Sequence, residues 1–162
     1  EGQSRRTTMI RLLLSTLTLS ALLLPSVAAA QGSPFDPVVA FFTALSEANH
    51  QGIRDSTTEN FLVLEQGEVW NLDKLLSVVR PKNTLRRNFF SVVSQDIRGD
   101  TAHVNYWNKA LERSENGEER TRAWLESVVV VKKRGTWRIL QMHSTRLTPE
   151  QIPENVAFTE RR

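Results

Sequence analysis

Three side chains in the second half of the chain are of the types that proton-transfer chemistry uses, Tyr106, Glu126 and His143, and Trp124 stands among them as a ligand-lining aromatic. Glu126 sits in RAWLESVVVVKK, a run of apolar and β-branched residues that reads as a strand. Alternate strand residues share a face, so Arg122, Trp124, Glu126, Val128 and Val130 point one way. The same rule groups Ala102, Val104, Tyr106 and Asn108 in the preceding run, and Trp137, Ile139, Gln141 and His143 in the following one. If these faces meet, Tyr106, Trp124, Glu126 and His143 line one partly apolar cavity holding a donor, a carboxylate and an imidazole. A carboxylate against apolar walls has its charged form disfavoured, which lifts its pKa toward the range of a general acid or base. Glu126 or His143 would then act as base and Tyr106 as donor to a developing oxyanion, an isomerase- or hydrolase-type arrangement. The same residues also permit a structural arrangement, with Trp124 in the core, Glu126 paired with Arg122 or another base, and His143 a hydrogen-bonded structural residue.

Other reactive types are more easily dismissed. His143 and Ser144 are adjacent in a strand and point to opposite faces, so a nucleophilic pair is out of reach. The three histidines, His50, His103 and His143, lack metal-ligand spacing, and His103 lies on the face opposite Tyr106. Neither a metal nor a cofactor is expected. Glu65, Glu68 and Trp70 cluster before a helix start, where they either meet a cationic ligand with the indole as a π face or form a polar turn around one packed aromatic.

The elements that position these residues follow from periodicity. Pro37 fits a first helical turn, and Val38, Phe41, Phe42 and Leu45 continue at helical spacing. A break is expected at His50-Gln51-Gly52, then a short helix or turn from Ile53 to Thr58, a strand from Phe61 to Leu64 and a turn at Gly67. Leu72, Leu75, Leu76 and Val79 share a helical face that Pro81 ends. Thr84 to Ile97, Thr101 to Asn108, Thr121 to Lys132 and Thr136 to Thr145 read as strands. The turns at Arg98-Gly99-Asp100 and Arg134-Gly135-Thr136, with a longer loop around Asn116-Gly117, make them antiparallel neighbours. Helices followed by about four long strands argue for an α+β fold with the helices packed on one face of a curved antiparallel sheet.

Met9-Ile10-Arg11, the apolar run Leu12 to Leu24 and Ala28-Ala29-Ala30 have the layout of a cleavable signal peptide at 9–30, within a leader at 1–30. The apolar run is shorter than the ~20 residues that span a bilayer and is interrupted by Pro25, so no stable anchor is expected after cleavage. The formal charge of +3 includes Arg5, Arg6 and Arg11 against Glu1; without them 18 basic and 17 acidic residues remain. That balance does not favour nucleic acid, whose binding needs a basic face. Arg86-Arg87 and Lys132-Lys133-Arg134 read as solvated strand ends and turns. With no cysteine, an exported chain must be held by its core. The working domain spans 31–148, and 149–162 is read as a flexible, mostly unstructured tail.

The segments PVVAFFTALSEAN, WNLDKL, GDTAHVNYWN, RAWLESVVVVKK and GTWRILQMHSTRL, spread over Asp36 to Leu147, resemble the SnoaL-like branch of the nuclear transport factor 2-like superfamily. The resemblance implies a cone in which a bent sheet wraps the first helix and leaves a pocket at its open end. It also implies pocket positions at Tyr106, Val128 and His143 and a homodimer formed through the sheet. Many kinase association domains of this kind carry an arginine where Val128 stands. The acid and tyrosine set of the steroid isomerases, and the paired aspartates and arginine of the epoxide hydrolases, have no residue-by-residue match here.

Because a fold of this breadth does not decide function, three readings follow. The first is an exported, periplasmic or secreted pocket domain that binds a small apolar or amphipathic ligand as a homodimer. The second is the isomerase- or hydrolase-type enzyme above, and the third a structural dimer whose pocket is filled by its own side chains.

Overall fold

The computed structural model describes residues 32–162, so the leader and the signal peptide expected at 9–30 lie outside the described residues. The first helices are α1 (Asp36–Ser46) and α2 (His50–Ser56). The strands β1 (Thr57–Glu65) and β2 (Glu68–Asn71) form a hairpin that leads into α3 (Leu72–Val78). Four long strands follow: β3 (Thr84–Arg98), β4 (Thr101–Ser114), β5 (Glu119–Lys133) and β6 (Thr136–Leu147). A 3-10 turn (Pro149–Gln151) and the short strand β7 (Thr159–Glu160) end the chain.

The strands form one curved sheet in the order β2-β1-β6-β5-β4-β3-β7. Neighbours are antiparallel except β1, which runs parallel to β6. The sheet is therefore mixed, where the strand run suggested an antiparallel one. The reason is that α2 packs against β6 and delivers the chain to that edge in β6's own direction. Between β5 and β6 the two-residue link Arg134-Gly135 has φ of 51° and 82°, the left-handed pair a type I′ hairpin requires.

α1 lies on the concave face because its apolar stripe has nowhere else to go. Val38, Phe41 and Phe42 are buried. Phe35, just before the helix, stands edge-on to Phe90 at 5.5 Å and to Tyr106 at 5.1 Å, while Phe42 meets Phe90 at 5.6 Å. Edge-on ring pairs contribute about 0.5–1.5 kcal/mol each beyond their buried area. Asn88 of β3 adds direction by donating from Nδ2 to Ser46 Oγ at 2.8 Å and to the Phe42 carbonyl at 3.3 Å.

The expected break at His50 to Gly52 falls elsewhere. The chain turns at Ala48 (φ 52°), Asn49 caps α2 by accepting the Gly52 N–H at 2.9 Å, and Gly52 lies inside the helix. A Cβ there would stand 2.8 Å from the Ala44 Cβ, so glycine allows α2 to approach α1.

The tail is more ordered than its polar, proline-containing sequence suggests. Thr159 and Glu160 pair with Phe90 and Phe89, and the Arg161 N–H donates to the Asn88 carbonyl at 3.1 Å. Arg87 grips Glu160 from Nε at 3.0 Å and from a terminal nitrogen, holding that carboxyl down at about 2. Lys109 lies between the rings of Phe89 and Phe158, 5.2 and 4.4 Å from their centroids. These contacts cover part of the β3 edge, which would otherwise offer unpaired backbone groups. No helix among the described residues is long and apolar enough to cross a membrane.

Gly52→Ala is expected to destabilise the protein by about 1–3 kcal/mol, the usual penalty of overpacking, measured by guanidinium unfolding. At an uncrowded helical glycine the same change would stabilise by roughly 0.5–1 kcal/mol, so the sign of the effect is the test.

Candidate functional site

The concave face of β4 and β5 keeps strict alternation. Tyr106 pairs with Glu126, Asn108 with Trp124 and Val104 with Val128, and all six are buried. On β6 the alternation is broken. Val130 pairs with Ile139 but Val129 with Gln141, which leaves Leu140 as an extra, bulged residue. From there each side chain changes face, so Met142 and Ser144 point inward and His143 is exposed on the outer side. His143 is therefore not part of the inner cluster. Ser144 occupies the place assigned to it, directly opposite Glu126.

The resulting cluster is built around one enclosed carboxyl. Ser144 Oγ donates to Glu126 Oε1 at 2.8 Å, and Asn108 Nδ2 donates to Oε2 at 3.1 Å. Burial of the charge outweighs these two bonds and pushes the Glu126 pKa up to about 7. The Tyr106 hydroxyl is buried and finds no hydrogen-bond partner of ordinary geometry, yet it lies near enough to favour the ionised carboxyl. Burial, and then the neighbouring Glu126, push its own pKa well up. Asn108 Oδ1 is also buried without a partner. Asn108 Oδ1 is thus left without a donor, a condition native interiors rarely tolerate without a water or ligand, while the Tyr106 hydroxyl has only its approach to Glu126.

A second group lies toward the rim. Arg86 of β3 places its guanidinium between two rings, 5.7 Å from the Trp124 centroid and 6.0 Å from that of Phe42. Arg146 approaches Trp124 as well, at 5.3 Å. Arg86 Nε donates to Asn88 Oδ1 at 2.9 Å. Glu112 of β4 stands 3.8 Å from Arg86 and 3.4 Å from Arg122 of β5, so one carboxylate serves two guanidiniums. Burial lowers the Arg86 pKa, while Glu112 and then Glu126 act to retain its proton. Strand alternation puts Arg86, Asn88 and Phe90 on one face, which was the available signal for this inward arginine.

A cavity of about 200 Å³ opens beside Arg86 and Glu112, walled by Leu45, Leu75, Val78 and Val79. A larger groove of about 670 Å³ lies on the far side of α1, between Asp36, Ala40, Glu47, Gly52, Trp137 and Arg162. Neither is lined by Tyr106, Trp124 or Glu126, which were expected to share one cavity with His143. The rings of Phe35 and Phe90 fill the space over Tyr106 instead. Trp70 and the acids before α3 form a closed polar hairpin: Trp70 Nε1 donates to Glu68, and Lys74 already lies over the indole at 5.5 Å. Among the described residues no group of three or more His, Asp or Glu could hold a metal ion.

No family model matches the chain, and no curated protein matches it in sequence. Solved structures do match in shape. A CaMKII hub homology domain from Chlamydomonas reinhardtii superposes with a TM-score of 0.62 at 20% identity, covering 69% of this chain and 94% of that one. A nuclear transport factor 2-like protein of unknown function in nutrient uptake from Rhodospirillum rubrum gives 0.60 at 14% identity, covering 72% and 100%. A ketosteroid isomerase-like protein from Erwinia carotovora atroseptica gives 0.56 at 17% identity, covering 70% and 92%.

The raised Glu126 pKa sets a pH dependence of stability. The folded state keeps a proton that the unfolded chain releases near 4.5, so stability is greatest below 4.5, falls as pH rises to about 7, and then levels. The fall is roughly 3 kcal/mol at 1.36 kcal/mol per pH unit. Urea unfolding between pH 4 and 8 is expected to show it in the native protein, and Glu126→Gln is expected to flatten that part of the profile.

Proposed function

Since the described domain has the nuclear transport factor 2-like fold, we propose that the chain is an exported domain that binds a small amphipathic ligand and works as a homodimer. The observation that carries this reading is Arg86. A charged side chain drawn onto the concave face, between two aromatic rings and open to a cavity of mixed polar and aliphatic lining, has the composition of a ligand-orienting group. At about 200 Å³ the cavity lies below the ~300 Å³ at the lower end of drug-sized sites, which suits a small molecule.

Self-association is supported by the outer face of the sheet. Trp107 and Leu125 are paired neighbours there; Leu125 is 39% exposed and Leu62, farther along that face, 38%. Val129 lies half-buried on the same face. Such apolar surface on a β-sheet favours a partner, here a second copy. Leu125→Glu is expected to shift the protein from dimer to monomer in light scattering with its circular dichroism unchanged. A wild-type monomer at micromolar concentration would contradict the homodimer.

A second reading, an isomerase- or hydrolase-type enzyme with Glu126 as general base, is favoured by a pKa of about 7 and by the adjacent Tyr106 donor. It requires Phe35 and Phe90 to move off Tyr106 and admits no role for His143.

Native mass spectrometry of the chain purified from its exported fraction tests the principal reading. The expected spectrum is a dimer beginning near Gln31 with an added small-molecule mass. A ligand-free species still carrying the leader would count against export and binding alike.

A further inference from the structure

Resting on the pocket reading, we infer that the rim cavity takes a small carboxylate with a short apolar chain, its head group held by Arg86 and its chain lying against Leu45, Leu75, Val78 and Val79.

The charges around the cavity are unbalanced. Among the described residues, Arg80, Lys82 and Arg86 line it with Glu112 as the one carboxylate in its wall, while Arg122 stands behind Glu112 and Glu126 and Glu65 act on Arg86 from beyond the lining. Arg80 lies at the rim, where its guanidinium donates to the Leu76 and Val79 carbonyls at 3.1 and 2.8 Å and closes the end of α3. Glu112 meets Arg86 at 3.8 Å and Arg122 at 3.4 Å without the two-pronged hydrogen bonds that a guanidinium makes with a fully engaged carboxylate. Among the described residues the one hydrogen bond made by Arg86 is from Nε to Asn88, which leaves its terminal nitrogens for another acceptor. Arg86 and Arg122 repel one another across this gap, and burial has removed much of the water that would screen them.

An incoming carboxylate answers each of these conditions. It supplies acceptor oxygens to the terminal nitrogens of Arg86, and it offsets the positive charge of the three cationic side chains in the lining. The four aliphatic walls then select for an apolar chain, and the size of the cavity keeps that chain short.

The test is calorimetric titration of the full-length protein at pH 7 with hexanoate, hexanol and inorganic phosphate. Hexanoate is expected to bind at least tenfold more tightly than hexanol or phosphate. Arg86→Gln is expected to weaken hexanoate at least tenfold, while Glu112→Gln, which removes the competing carboxylate, is expected to tighten it severalfold. A merely structural role for the cluster would lower binding in both variants, so opposite signs mark the anion site even if either variant loses stability. Equal binding of hexanoate and hexanol, unaffected by Arg86→Gln, would overturn the carboxylate assignment and leave the pocket reading intact. Phosphate binding as tight as hexanoate would overturn the class proposed. Failure of all three probes to bind at millimolar concentration would overturn the assignment and the pocket reading together.

Discussion

A carboxyl group enclosed in an apolar interior must either keep its proton or be supplied with donors, and much of the concave face is organised by how Glu126 meets that requirement. It receives one hydroxyl and one amide donor, from Ser144 on one neighbouring strand and Asn108 on the other. Neither is a cation, so burial prevails and the group titrates near neutrality. The arginines that could have neutralised it are held farther out, against Trp124 and Glu112. The domain thus separates a nearly neutral polar centre from a cationic rim.

That separation depends on backbone features more than on any single contact. The bulge at Leu140 brings Ser144 inward; without it the facing position would be His143, an imidazole opposite a carboxyl and a different charge balance. The aromatic layer of Phe35, Phe90 and Tyr106 seals the centre from α1's side. Phe35 in turn is covered by Arg161, 5.5 Å from its ring, on the arm that returns beside β3. The end of the chain therefore contributes to the packing over the site as well as to the sheet edge.

The sequence made the strand faces readable wherever the period of two ran unbroken. β4 and β5 have no register shift against each other, so Tyr106, Trp124 and Glu126 could be grouped from alternation alone. β6 could not be read this way, because a one-residue bulge leaves no mark in a run as uniformly strand-like as WRILQMHS. Arg86 was hidden by its neighbour: an Arg-Arg pair resembles a solvated strand end, and only the alternation through Asn88 and Phe90 sets one arginine inward. The parallel placement of β1 and the return of β7 arise from contacts distant in sequence, which local patterning does not carry. Gly52 reads locally as a helix break and owes its place to the Ala44 methyl group on another helix.

The Glu126 cluster has room in its hydrogen-bonding pattern for one more polar partner, shared by the Tyr106 hydroxyl beside Glu126 and by Asn108 Oδ1, which no protein donor among the described residues reaches. A crystal structure of the full-length chain at a resolution that reveals ordered water tests it most directly. A water or ligand atom is expected within hydrogen-bond distance of both Tyr106 Oη and Asn108 Oδ1. Direct hydrogen bonds from these atoms to protein groups, with no density between them, would contradict it and make the cluster a closed structural element.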